Sequence, residues 1–276
     1  MSNSRSYEIV IEPKGTWKAL QWGELWQYRE LLRFLTVRDI KVRYKQTVLG
    51  GLWAILQPFM SMVVFTVFFG MLAKVPSDGL PYPIFVYTAL LPWQFFSNGI
   101  SNAGNSLVAS SNLISKVYFP RIFIPAASLG AGLLDFLVAF VILIVMMLYY
   151  GIYPGLGIIL MPVLLLGVAA TALGVGMILS ALNVAYRDFR YVIPFLVQFW
   201  LFATPVIYPA SIVPEGWRWL INLNPMAGFI SAFRSSLLDI PVPWNDLFIS
   251  GVVGLGLFIL GIAYFTHMER RFADII

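Results

Sequence analysis

Asp135 is the residue of this chain that most invites a chemical reading, because it is an acid inside a long apolar run over residues 122–149. An ionisable group at such a depth is costly and is a functional hypothesis by default, and no basic partner for it is visible within the spans. Two readings stand for it: a proton relay, or a cap or bond to an adjacent helix along a polar conduit. The other chemistry-bearing feature is cationic. Arg38, Lys41 and Lys45 recur at i, i+3 and i+7, with Arg43 beside them. That spacing collects positive charge on one helical face, as in an amphipathic helix lying on the cytoplasmic leaflet. Anchoring of the following span on its positive side explains the same residues more plainly.

The other side chains narrow the chemistry by what they lack. No G-x-x-x-x-G-K-[ST] occurs, so the chain has no P-loop of its own for ATP phosphates. Cysteine is absent, which removes disulfides, thiolate metal sites and cysteine nucleophiles. The single histidine, His267, has no partner at metal-ligand spacing and reads as an interfacial residue. Glu215, Asp239 and Asp246 are dispersed among Pro and Trp neighbours rather than gathered for glycosyl transfer or hydrolysis. The net charge of +5 follows membrane topology and is not a nucleic-acid footprint.

The elements that must hold these residues are apolar helices. Of 276 residues 59% are hydrophobic and 11% charged, and several runs approach the ~20 residues that cross a bilayer. The fold class expected is an all-α polytopic membrane protein with six spans, near 51–73, 84–104, 122–149, 158–182, 192–207 and 247–266. Gln57-Pro58 is expected to kink the first, and Leu91-Pro92-Trp93 to interrupt the second. Ala170 and Gly174 permit close helix contact in the fourth. Residues 1–48 form an N-terminal cytoplasmic segment and 49–276 the transmembrane domain. Residues 1–16 read as a loose start without the apolar core of a cleaved signal peptide. From 17 to 45 an amphipathic helix lies along the cytoplasmic leaflet, with Leu25, Tyr28, Leu32 and Leu35 on one side and Trp17, Trp22 and Trp26 at headgroup level.

Two segments interrupt this pattern. In 105–124, Ser110, Ser111 and Asn112 offer N-cap chemistry for a short helix over 113–118, and Pro120 ends it. It is either a docking element or an ordinary helical loop. In 210–246, Trp217, Trp219, Leu220 and Ile221 form one apolar patch, and Asn224-Pro225 opens a helix striped by Met226, Phe229, Ile230, Phe233 and Leu237. Both pieces are too short to span and read as outer, interfacial or re-entrant half-helices. With six spans and a cytoplasmic N-terminus, only Lys74, Arg218 and Arg234 of the 18 Lys and Arg fall outside, so both termini are expected inside.

At this point the residues resemble a family. Arg38-Asp39 to Arg43-Tyr44, Leu49-Gly50-Gly51-Leu52-Trp53 and Gln57-Pro58 are followed by Asn112-Leu113-Ile114-Ser115-Lys116 and Phe119-Pro120-Arg121. Tyr186-Arg187-Asp188-Phe189-Arg190-Tyr191, Thr204-Pro205-Val206-Ile207-Tyr208-Pro209 and Asn222-Leu223-Asn224-Pro225-Met226 complete the series. In this order they resemble the permease subunit of type-two ABC exporters, in the branch that exports O-antigen, capsule or teichoic acid. Thr204 stands where that family has Ser. The resemblance implies a homodimer in a bacterial or archaeal cytoplasmic membrane, bound to two copies of a cytoplasmic ATPase subunit that holds ATP and Mg, with no cofactor on this chain. It implies that Leu113, Ile114, Lys116, Tyr118 and Arg121 belong to a coupling helix entering that ATPase. The implied cargo is a glycan on undecaprenyl diphosphate, with Arg38, Lys41, Arg43 and Lys45 placed to meet the diphosphate. Trp93, Phe95, Phe96, Phe199, Trp200 and Phe202 are stacking candidates along the conduit with Asp135; packing or lipid contact is their plainer role. An exporter of a small hydrophobic drug or lipid is the alternative, ahead of a membrane enzyme on a lipid-linked sugar or a proton-driven transporter.

Overall fold

The computed structural model describes residues 22–45 and 51–275, and all regular structure among them is helical. Trp17 and the Leu49-Gly50 pair lie outside the described residues. The amphipathic segment forms α1 (Trp22–Gln27) and α2 (Arg29–Lys45), broken at Tyr28. The first span is α3 (Leu52–Phe65), which loosens into a π-helical stretch, Thr66–Leu72. There the ring of Tyr82 packs so close to Gly70 that an added Cβ would sit 2.8 Å from it. Then come α4 (Tyr82–Ala109), α5 (Ser111–Ile114), α6 (Phe123–Tyr150), α7 (Met161–Ala185) and α8 (Phe189–Ala203). The chain closes with α9 (Glu215–Asn222), α10 (Pro225–Leu238) and α11 (Trp244–Ile275).

Local chemistry sets many of these boundaries. Gly151 ends α6 in the left-handed region at φ 67°, where a Cβ would be penalised. The Asn224 side chain accepts from Met226 N at 3.1 Å and caps α10, whose first residue is the preorganised Pro225. Asp239 ends that helix, also with positive φ.

Among the described residues four stretches are long and apolar enough to cross a membrane: Leu52–Leu72, Phe123–Tyr150, Leu156–Ala185 and Trp244–Glu269. Phe189–Ala203 is a shorter apolar helix. At 28 residues α4 is as long as α6, but Gln94, Asn98, Asn102 and Asn105 make it less apolar. It is the hub, packed against α3, α6, α7, α8 and α10. A large core runs along it, from Tyr82, Phe85 and Tyr87 through Phe96 and Ile100 to Leu164, Ile230 and Phe233. A smaller core at the basic end joins Leu35 of α2 with Ile114, Phe119, Phe123, Met177, Phe265 and Phe272.

Three expectations are revised. First, α4 runs unbroken through Pro92. A proline removes one backbone hydrogen bond, and the fully packed surroundings of Leu91, Pro92 and Trp93 hold the helix through it. Second, the short helix after α4 covers Ser111–Ile114 rather than 113–118. Ser110, the first of the three candidate cap residues, takes the N-cap position without a side-chain hydrogen bond, and the helix ends before Lys116. Third, of the two half-helices only α9 is exposed, with Trp217 and Trp219 outward. Buried against α4, α7 and α11, α10 is not interfacial, which leaves the re-entrant reading for it.

Candidate functional site

A cavity of about 300 Å³ opens between α2, α3, α4 and α6 at the level of Asp135. The acid is engaged on both oxygens: Arg43 Nη1 donates to Oδ2 as an ion pair, and the Tyr44 hydroxyl donates to Oδ1. Burial, and then the bond to Asp135, hold the Tyr44 phenol well above its ordinary pKa range, so it serves here as a donor. Helix α2 reaches this depth because Gly130 lets it lie close on α6; an added Cβ would stand 3.0 Å from Thr36 Cγ2. The cavity is also lined by Trp53 and Gln57 of α3, Gln94, Phe95, Asn98 and Asn102 of α4, and Gly132 of α6.

The basic face therefore divides. Arg43 is drawn inward to Asp135, and Arg38 donates to the adjacent Asp39 at 2.8 Å. Lys41 and Lys45 are exposed. Sequence reading assigned Asp135 no basic partner because Arg43 lies in a different segment, 92 positions away. The pair is part-exposed, so its contribution is discounted to about 1–2 kcal/mol. Asp135→Leu is expected to lower the apparent thermal midpoint in detergent by a few degrees. The swap of Arg43→Asp with Asp135→Arg should recover part of that loss. A double-mutant cycle without coupling between the two positions would overturn the pairing.

The docking stretch divides in the same manner. Ile114 and Phe119 are buried in the smaller core, whereas Lys116, Val117 and Tyr118 are exposed, Tyr118 by 78%. Leu113 is half-buried beside them. Arg121 turns the other way. Its backbone N–H donates to Glu269 Oε1 at 3.1 Å and its Nη1 to the Glu269 carbonyl at 2.7 Å. The guanidinium also faces the Phe272 ring. Arg121 thus ties the segment to the end of α11.

The aromatic candidates do not form one lining. Trp93 and Phe96 are buried and pack on each other, and Phe96 meets Trp200 edge-on at 5.0 Å. Trp200 Nε1 donates to Asn224 Oδ1 at 2.9 Å, and Asn224 Nδ2 donates to Thr204 Oγ1 at 2.8 Å. Those motif residues lock α8 to the start of α10. Phe95 reaches the cavity. Phe199 and Phe202, 68% and 53% exposed, continue a face of α8 that also carries Tyr191 and Phe195. Sequence reading missed the cavity amides Gln57, Gln94, Asn98 and Asn102. Their signal was available as polar residues four apart inside an apolar helix.

The family described as ABC-2 type transporter matches residues 30–238, from α2 to the end of α10. The chain is 30% identical over 248 residues to the O-antigen export system permease protein RfbA of Klebsiella pneumoniae, covering 90% of this chain and 95% of that protein. The RfbA permease of Myxococcus xanthus is 30% identical over 255 residues, covering 91% and 97%. The polysialic acid transport protein KpsM of Escherichia coli is 24% identical over 211 residues, covering 74% and 80%. A match that begins at the helix carrying Arg43 and ends with the buried half-helix takes in the whole helical hub around α4, and on that ground this chain belongs to the ABC-2 type transporter family.

Proposed function

We propose that the chain is the membrane-spanning subunit of an ATP-driven exporter that carries a lipid-linked polysaccharide from the cytoplasmic to the outer side of a bacterial inner membrane. The observation that carries this reading is the nearly end-to-end similarity to permeases named for O-antigen and polysialic acid. In it α3, α4, α6, α7, α8 and α11 are six spans, both termini are cytoplasmic, and α2 and α5 lie at the cytoplasmic end. Two copies of the chain assemble with two ATPase subunits, which bind ATP and Mg. The cargo is a glycan on undecaprenyl diphosphate, and the exposed Lys41 and Lys45 attract its phosphates. The aromatic face of α8 suits a moving sugar chain, since ring faces stack without the tight polar bonds that would stall it.

The exporter reading is tested by mass spectrometry of lipid-linked glycans in inside-out and right-side-out vesicles, with the gene depleted and restored. Accumulation of carrier-linked polymer on the cytoplasmic face during depletion is expected. No change in side or amount would overturn the assignment and favour a small hydrophobic cargo. Coupling is tested separately at the exposed docking residues. Tyr118→Ala combined with Lys116→Glu should remove about 2 kcal/mol of subunit binding, roughly thirtyfold in affinity. Co-purification of the ATPase at its wild-type level would sink the docking role.

A further inference from the structure

We propose that the cavity under α2 is a sugar-binding subsite, in which the side-chain amides of Gln94, Asn98 and Asn102 hydrogen-bond glycan hydroxyls and Trp53 offers a stacking face. This rests on the polysaccharide-export reading and names the groups that meet the polymer.

Among the described residues, every position from Ile84 to Leu107 is buried except Gln94, Asn98, Ser101, Asn102 and Asn105. All five are polar, so the single open stripe of the hub helix is a polar one. Asn105 is committed within the fold: its Nδ2 donates to the Ser101 carbonyl at 2.8 Å and its Oδ1 accepts from Asn183 at 3.2 Å. Gln94, Asn98 and Asn102 face the cavity, and their side chains make no hydrogen bond among the described residues. Gln57 joins them from α3 in the same condition.

A side-chain amide without a partner costs several kcal/mol in hydrocarbon. The stripe therefore faces water or a polar ligand. An amide both donates and accepts, as a sugar hydroxyl does. Spacing of four residues sets the three amides about 6 Å apart along the helix, so each meets a different part of an extended chain. Charge argues for the sugar rather than the diphosphate. The charged groups of the cavity lining are Arg43 and Asp135, and they pair with each other. Each neutral hydrogen bond contributes only about 1 kcal/mol net, which lets a polymer step from one amide to the next. Trp53, half-exposed at the same cavity, adds a ring face of the kind that stacks on sugars.

The absence of cysteine makes a clean test available. Asn98→Cys is introduced into the full transporter with its ATPase, and membrane vesicles are prepared from cells that make the lipid-linked glycan and from cells blocked in its synthesis. A charged thiol reagent is applied without ATP. The new thiol should react in glycan-free vesicles and about tenfold more slowly in glycan-loaded ones, the protection expected when the site is largely occupied. Val141→Cys, exposed on the outer face of α6, should stay unreactive in both. Asn102→Cys and Gln94→Cys repeat the measurement, so that one poorly assembled variant does not decide it. Equal rates in the two vesicle types, or no reaction at any of the three positions, would overturn the subsite. Sidedness of the glycan in wild-type vesicles is read in parallel. Intact export with unprotected thiols brings down the subsite alone, whereas no glycan crossing at all brings down the exporter reading.

Discussion

Arg234→Met is expected to lower the apparent thermal midpoint of the detergent-purified protein by roughly ten degrees, the equivalent of about 2–4 kcal/mol for a chain of this size. Arg234 is 7% exposed. Its Nε donates to the Phe85 carbonyl at 3.2 Å, and its Nη2 reaches the carbonyls of Pro205 and Val206 at 3.4 and 3.3 Å. The guanidinium lies 3.6 Å from the centre of the Phe85 ring. Residues 205 and 206 follow the end of α8, where no helix continues to satisfy their carbonyls. Beside them the Tyr82 hydroxyl donates to the Ile207 carbonyl at 2.7 Å. A buried cation is tolerated here because its planar fork meets several acceptors and a ring face at once. Methionine keeps much of the volume and leaves the two irregular carbonyls unpaired. Lysine keeps the charge but not the fork, so Arg234→Lys should fall between the two. A methionine variant melting within a degree of wild type would show that these carbonyls do not depend on the arginine.

Gly174→Val should all but abolish folded protein, at a cost of at least about 3 kcal/mol. A Cβ on Gly174 would stand 2.6 Å from the Leu257 carbonyl oxygen and the Phe258 Cα, which are backbone atoms of α11 and cannot rotate away. Gly261 answers it from the other helix, its absent Cβ pointing at the Gly174 carbonyl. The helices therefore meet backbone to backbone, and any side chain at either glycine pushes α11 off α7. Gly256 is the control on the same helix, with nothing within 4 Å of its Cβ direction. Gly256→Ala should be neutral or stabilising by up to about 1 kcal/mol, because alanine favours the helix. The comparison is read from the yield of monodisperse protein after detergent extraction. Equal yields for Gly174→Val and Gly256→Ala would contradict the close packing.

What was legible in the sequence is what local backbone chemistry and hydropathy dictate. The apolar runs announced helices α3, α6, α7 and α11, since hydrocarbon demands backbone hydrogen bonds closed within one segment. Asn224-Pro225 marked the start of α10 through its own side-chain cap, and the small residues near Gly174 announced a tight crossing. Pro92 misled for the same local reason. A proline weakens a helix by itself, but its neighbours Leu91 and Trp93 are packed on all sides and keep α4 continuous.

The candidate site lies on the other side of that line. Asp135 could be recognised as an intramembrane acid from its neighbours in the chain, yet Arg43 and Tyr44 come to it from α2, 92 and 91 positions away. Likewise Ile114 and Arg121 belong to the docking stretch by sequence, and only the packing against α11 shows that they anchor it while Tyr118 is left exposed. The polar residues of α4 were visible as types, but their meaning depends on which face the other helices leave open. By itself the sequence determined the membrane class, the helical elements and the permease resemblance, because periodicity, caps and hydropathy act within a few turns of one chain. The pairing of Arg43 with Asp135, the burial of α10 and the open amide stripe were decided only by tertiary structure, because each depends on how helices distant in sequence pack against one another.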